Sequence, residues 1–308
     1  MTSKSGEFNR ILSFAIESIN DEDRARLQQQ LETLIQENPK FRVQVKAFEE
    51  GLIVSGEDEL QLMEIRDNVL LTNQLTISEL QIGYRETIRR SSEAEGKYIR
   101  KTGGSGNYGH VKIRIEPNEA GKGFDFINDI KGGVVPREYM KSIEEGIREA
   151  LRGGVLAGYE IIDVKATLFD GSYHDFDSNE MAFRIAGSMA IKEAARKAIP
   201  VLLEPVMSVE VTAPGEFLGT ILGDISARRG RIEGVEHAAG SQVVRAIVPL
   251  AEMLNSSARG RPGYLMHFAG YQAAPKRDGY FGDDAPAYAR KPWNPKPLAG
   301  SAAAELED

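Results

Sequence analysis

The sequence predicts an α+β protein in which two ferredoxin-like split-βαβ domains flank a middle α/β domain. Three observations carry this. Residues 11–82 read as strand, helix, strand, strand, helix, strand, which is the split-βαβ order. The same order returns from residue 206 to residue 272, without any repeat of sequence. Between them lie a strand of strict alternation and two long helices with different inward faces. A length of 308 residues is about twice that of an ordinary domain, and a hydrophobic fraction of 41% is enough to build more than one core.

Taken in order, residues 11–17 (ILSFAIE) are apolar and strand-like, and residues 21–39 form a helix that opens with acids and stops before Pro39. Leu27, Leu31 and Leu34/Ile35 give that helix one apolar stripe. Residues 41–48 (FRVQVKAF) alternate, residues 51–56 return as a short strand, residues 57–73 are a second amphipathic helix, and residues 75–82 close the unit. In the middle region, HVKIRIEP (110–117) places Val111, Ile113 and Ile115 on one face and Lys112, Arg114 and Glu116 on the other. A helix follows over 136–154, with Met140, Ile143, Ile147 and Leu151 inward, then a strand over 160–169. The helix over 179–200, ended by Pro200, presents Ala182, Ile185, Ala186, Met189 and Ala190 as a small face able to lie close to a sheet. The last unit comprises a strand at 206–213, a helix at 214–230 between Pro214 and Gly230, strands at 231–238 and 242–250, a short second helix at 251–258 and a strand at 263–272. From Arg277 the chain turns Pro-rich and aperiodic, as expected of a tail.

Composition removes several function classes. No cysteine means no disulfide, thiolate metal site or cysteine nucleophile, and fits a reducing, cytoplasmic setting. No run approaches transmembrane length, and residues 1–30 lack the layout of a signal peptide, so no membrane partner is expected. The net charge of −8 argues against a protein that coats nucleic acid. Locally, Arg89, Arg90, Lys97, Arg100 and Lys101 outnumber Glu93 and Glu95, a patch able to meet phosphates. There is no phosphate loop, no G-x-S-x-G and no H-E-x-x-H, so no catalytic set and no cofactor site are expected in this chain.

Two loops concentrate the remaining chemistry. The first, KTGGSGNYGHV (101–111), has four glycines that permit close backbone approach and positive φ, together with Asn107 and Tyr108. Preceded by bases, it suits contact with an RNA backbone and splayed bases, and equally suits a plain hairpin turn. In the second, FDGSYHDFDSNE (169–180), the part DFDSNE begins like a calcium loop but has Glu180 where the turn glycine belongs and Ala186 where the bidentate glutamate belongs, so an EF-hand is excluded. A transition-metal cluster of His174, Asp175 and Asp177 stays open. Asp177 reads as the N-cap of the following helix, with Glu180 closing a capping box, and Tyr173 and His174 stand outside that helix N-terminus.

The stretches GGSGNYGHVKIRIEP, FDFINDIKGGVVPREYMKSIEEGI, GSYHDFDSNEMAFRIAGSMAIKEAARKAIPVLLEPVM and GDISARRGRIEGVE, in this order, closely resemble bacterial elongation factor G, the ribosomal translocase. The likeness is to its last three domains: III over residues 1–84, IV over 85–202 and V over 203–276, with 277–308 as the tail. It implies a middle domain of the ribosomal protein S5 domain 2-like fold, with two loops at its leading tip that enter the A site on the small side of the ribosome. On this resemblance the first tip loop is Gly103, Gly104, Ser105, Gly106, Asn107, Tyr108 and Gly109, flanked by Arg100 and Lys101. The second is Gly171, Ser172, Tyr173, His174 and Asp175, with His174 at the position of the tip histidine. Asn107, Tyr108 and His174 are expected to be exposed.

The partners implied are the ribosome, with its rRNA, tRNA and mRNA. GTP and magnesium belong to a domain of the full-length family that these residues do not contain. The chain is therefore expected to be either a monomeric C-terminal fragment, with its GTPase domain in cis, or a headless, ribosome- or RNA-binding relative without a GTPase cycle. Glu57–Asp58 and Gln61 stand where the family usually has Met-Gly and His, and LNSSARGRPGY replaces a longer helix and loop in domain V. These departures imply a divergent paralogue.

Overall fold

The structure is a computed structural model that describes residues 10–17, 21–38, 43–48, 51–72, 76–102, 105–238, 240–253 and 264–275. The sequence-predicted tail at 277–308 and the turn glycines Gly103 and Gly104 lie outside the described residues. The chain groups into two compact units, one built around Tyr84–Leu203 and the other from residues up to Gly83 together with Glu204–Gly270. Among the described residues no helix is long and apolar enough to cross a membrane.

The second of these units contains two sheets of the same topology. The first is formed by β1 (Leu12–Glu17), α1 (Asp21–Glu37), β2 (Val43–Phe48), β3 (Gly51–Gly56), α2 (Glu59–Thr72), β4 (Thr76–Ile77) and β5 (Gln81–Ile82). Its order is β2-β3-β1-β4, antiparallel throughout, which is the ferredoxin-like arrangement. Leu27 and Leu31 of α1 and Leu62 and Ile65 of α2 are buried, as are Phe14 and Leu52 of the sheet. Asp58 caps α2 by accepting from the backbone N–H groups of Leu60 (2.8 Å) and Gln61 (3.2 Å). The single closing strand expected over 75–82 is instead two short pieces. Between them the Ser78 hydroxyl accepts from the Ala15 N–H at 2.9 Å, so a side chain replaces a ladder carbonyl.

The middle unit runs β6 (Arg85–Ile88), β7 (Ser92–Thr102), β8 (Ser105–Pro117), β9 (Phe124–Asn128), α3 (Met140–Arg152), β10 (Val164–Ser172) and α4 (Glu180–Lys197). The sheet order is β7-β8-β10-β9, with only β9 and β10 parallel. One face packs on the helices, where Val111, Ile113, Ile115, Val164, Leu168, Ile143, Ile147 and Phe183 share one core. Close approach sets the composition of α4. A Cβ on Gly96 would lie 2.0 Å from the Ala186 carbonyl oxygen, and one on Gly109 would lie 2.5 Å from that of Ala182. The buried face of α4 is Ala182, Phe183, Ala186, Gly187, Ala190, Ile191, Ala194 and Ala195. Met189, expected inward, is exposed, because Phe183 and Ile191 take the large-residue positions and rotate the face.

The other face of this sheet is open and ionic. Lys112 meets Asp170 at 2.8 Å and Arg114 meets Glu93 at 2.7 Å. A different charge is fully enclosed. The Glu86 carboxylate is buried and accepts from the N–H groups of Val155, Leu156, Ala157 and Tyr159 at 2.8–3.0 Å. Backbone donors converging in this way form a nest that solvates the anion in place of water.

The third sheet combines β11 (Pro200–Pro214), α5 (Leu218–Ala227), β12 (Arg231–Ala238), β13 (Ser241–Pro249), α6 (Leu250–Met253) and β14 (Tyr264–Ala273), in the order β12-β13-β11-β14. This is the ferredoxin-like order again, with a second helix of four described residues. Arg229, at φ 57°, ends α5 in the left-handed region and forks onto the buried Glu204 at 2.8 and 2.9 Å. Its Nε donates to Glu252 at 2.9 Å, and these partners raise its basicity above the ordinary arginine value.

Candidate functional site

The β7–β8 hairpin and the segment after β10 meet at one end of the middle unit. Register pairs Arg100 with Asn107, Lys101 with Gly106 and Thr102 with Ser105, so the hairpin is regular up to its last described residues. Ser105–Gly109, expected as a loop, therefore belong to β8. Their glycines serve close approach rather than positive φ. A Cβ on Gly106 would sit 2.6 Å from the Asp177 carboxyl carbon, and the constraint at Gly109 is the α4 backbone noted above. Gly171 is similarly confined, since its Cβ would lie 2.5 Å from the His110 carbonyl oxygen and 2.6 Å from Val135 Cγ2.

Asp177, Ser178 and Asn179 stitch the two segments together. Asp177 Oδ1 accepts from the Gly106 N–H at 2.9 Å, and its carbonyl accepts from the Tyr108 N–H at 2.8 Å. The helix cap is Asn179, not Asp177: its φ/ψ of −151°/165° is extended and its Oδ1 accepts from the Ala182 N–H at 2.9 Å. The capping box expected of Asp177 and Glu180 does not form, because α4 starts at Glu180 itself. The Asn179 amide also donates to Asn107 Oδ1 at 2.7 Å, tying the hairpin to the cap. Asn107 and Tyr108, expected to be exposed, are half-buried for these reasons.

The 173–178 turn is closed on itself. The His174 N–H donates to Ser178 Oγ at 2.9 Å, and the Ser178 N–H donates to the His174 carbonyl at 3.0 Å. His174 Nδ1 lies 3.5 Å from Asp177 Oδ2. What faces outward is aromatic: His174 and Asp175 are exposed, Tyr173 is 44% exposed and Phe176 is 90% exposed. The rings of Tyr108, His174 and Phe176 follow one another at centroid distances of 6.4 and 6.3 Å. Beneath the turn, Tyr139 stacks on Phe183 at 4.5 Å and donates its hydroxyl to the Ser178 carbonyl at 3.3 Å; burial pushes that phenol up.

Two features of the site differ from the sequence reading. Phe176 is not among the expected tip residues, although a phenylalanine between two acids in a polar loop is itself a signal of an outward ring. The basic patch is also not one patch. Arg90 donates to the Lys197 carbonyl at the C-terminus of α4 (2.9 and 3.1 Å), and the Arg89 N–H to the Ala198 carbonyl. The 18 residues of α4 separate that end from Asn179 by about 27 Å. Of the described positions, Lys97 and the exposed Arg100 remain on the tip side, and Lys101 adds its place in the register. Among the described residues no group of three or more His, Asp or Glu side chains is arranged to hold a metal.

Residues 80–199 match the family model described as elongation factor G, domain IV. Residues 201–278 match the one described as elongation factor G C-terminus. A crystal structure of a protein from Thermus thermophilus superimposes with a TM-score of 0.68 at 38% identity, over 88% of this chain and 42% of that one. The chain thus spans well under two thirds of that relative's length.

Proposed function

Since the chain belongs to the elongation factor G family over its middle and C-terminal parts, we propose that it is the ribosome-facing region of a translocase of that kind. In this reading the end of the middle unit enters the ribosomal A site, on the small side of the particle, and meets rRNA, tRNA and mRNA in the cytoplasm. GTP and magnesium are handled by a GTPase domain outside these residues, and this region acts as a monomeric binding element without catalytic residues of its own.

One observation carries the reading. The outward rings of Tyr173, His174 and Phe176 stand on a turn closed by hydrogen bonds and anchored to a strand end and a helix cap. Exposed rings on a rigid mount suit unpaired bases, which every nucleotide presents as a π-face. Pre-ordering of the mount lowers the entropic cost of contact.

The test is chemical footprinting of ribosomes incubated with the chain. Protection of decoding-region nucleotides is expected, and it should disappear with the double change His174→Ala and Phe176→Ala. Protection that survives the double change, or that falls only on other rRNA, contradicts the reading.

A further inference from the structure

On the open face of the middle sheet, four side chains from three strands form one chain of polar contacts. Tyr108 Oη lies 2.7 Å from Ser172 Oγ, which lies 2.8 Å from His110 Nδ1. The other ring nitrogen, His110 Nε2, is buried, has no hydrogen bond, and sits 3.5 Å from Glu95 Oε2. We propose that His110 is a positioning residue of the tip: through Ser172 it sets the direction of the Tyr108 hydroxyl, and its protonation frees that hydroxyl to donate to an RNA acceptor. The RNA part of this inference rests on the function proposed above; the relay itself does not.

The direction follows from counting protons. A neutral imidazole has one N–H. A bare Nε2 lone pair facing the Glu95 carboxylate is repelled, whereas an N–H there is attracted, so the proton sits on Nε2. Nδ1 is then an acceptor. It takes the Ser172 O–H, and Ser172 Oγ takes the Tyr108 O–H, so the tyrosine proton is used internally. When His110 takes a proton from solvent, Nδ1 becomes a donor to Ser172 Oγ. In the proposed relay the Ser172 proton, displaced from Nδ1, turns to Tyr108 Oη, and the tyrosine's own proton is released. No covalent bond other than the new N–H changes.

Charged groups flank His110 on all three strands. Lys97 is its register partner on β7, beside Glu95. Lys112, two residues on, pairs with Asp170 of β10 at 2.8 Å. Two acids and two bases thus occupy neighbouring positions on the three strands. Tyr108 in turn adjoins the exposed turn through its ring contact with His174 and its backbone bond to Asp177.

The test is NMR on the chain labelled with 13Cζ-tyrosine, titrated from pH 8 to pH 5, a range in which histidine takes up a proton. The Tyr108 resonance, assigned with Tyr108→Phe, should move with the same midpoint as the His110 Cε1 proton. The movement should vanish in His110→Gln and persist in His174→Ala. Glu95→Gln should alter the high-pH position by releasing the tautomer. If Ser172→Ala folds, it too should abolish the movement, and His110→Gln carries the test alone if it does not. A Tyr108 resonance that stays fixed, or that follows His174, overturns the relay. The second arm uses a decoding-region RNA hairpin as probe. Wild type should bind roughly three- to tenfold more tightly than Tyr108→Phe at pH 5.5 and equally at pH 8, the effect of one hydrogen bond. A titrating relay without that difference overturns the RNA-facing role and leaves the relay standing.

Discussion

Asn179 takes the capping role that spacing suggests for Asp177. In the sequence, Asp177 followed by Glu180 has the form of a capping box, and nothing local tells which of three polar residues is extended. The decision comes from Gly106, 71 positions away, whose N–H needs an acceptor and finds Asp177. Asn179→Ala should therefore cost on the order of 1 kcal/mol as a lost cap. Asp177→Ala should cost on the order of 1–2 kcal/mol as a lost charge-assisted bond, and by a different route. Urea denaturation measures both, and amide exchange separates them. The Gly106 amide should exchange faster in Asp177→Ala and be little changed in Asn179→Ala. The reverse pattern would restore Asp177 as the cap.

At the scale of elements, legibility follows hydrophobic contrast. β8 is readable because Val111, Ile113 and Ile115 alternate with charged residues. Its partner β7 is not, since it turns Ala94 and Gly96 to the helix and Glu93, Glu95 and Lys97 outward, and small residues carry no apolar periodicity. β9, five residues long, is too short for the alternation of Phe124, Asp125 and Phe126 to stand out. The loop after α3 depends on one buried charge that no pattern announces. Glu86→Ala should cost on the order of 3 kcal/mol or more, because four N–H donors lose their acceptor inside the fold. A loss below about 1 kcal/mol in calorimetric or urea unfolding would mean that the loop finds water instead. The exposed ion pairs of the middle unit respond to acid. The hydrogen bond from Lys112 holds the Asp170 carboxyl below its ordinary value, and that from Arg184 does the same for Glu149. A depressed folded value gives stability that is complete above about pH 4 and is lost as pH falls through the depressed values. Lys112→Ala should flatten the Asp170 part of that loss in a melting series from pH 5 to pH 2. An unchanged acid profile would mean that the pair is too exposed to matter.

Across the molecule, the two ferredoxin-like sheets are legible because strand order and helix position are written locally, in runs bounded by Pro and Gly. The tip is legible only as two separate loops. Its convergence depends on hydrogen bonds between residues 64 to 72 positions apart, to which local pattern is blind. In the proposed function, this end of the middle unit acts on a partner and not on the fold. The direct measurement is His174→Ala in a full-length protein carrying this region, comparing tRNA–mRNA movement, GTP hydrolysis and melting temperature. His174 is exposed, and exposed substitutions away from caps change stability by about 0.5 kcal/mol or less. Slowed movement is expected, with hydrolysis and melting temperature nearly unchanged. Movement at the normal rate, or a domain that unfolds, would contradict the proposed role of the tip.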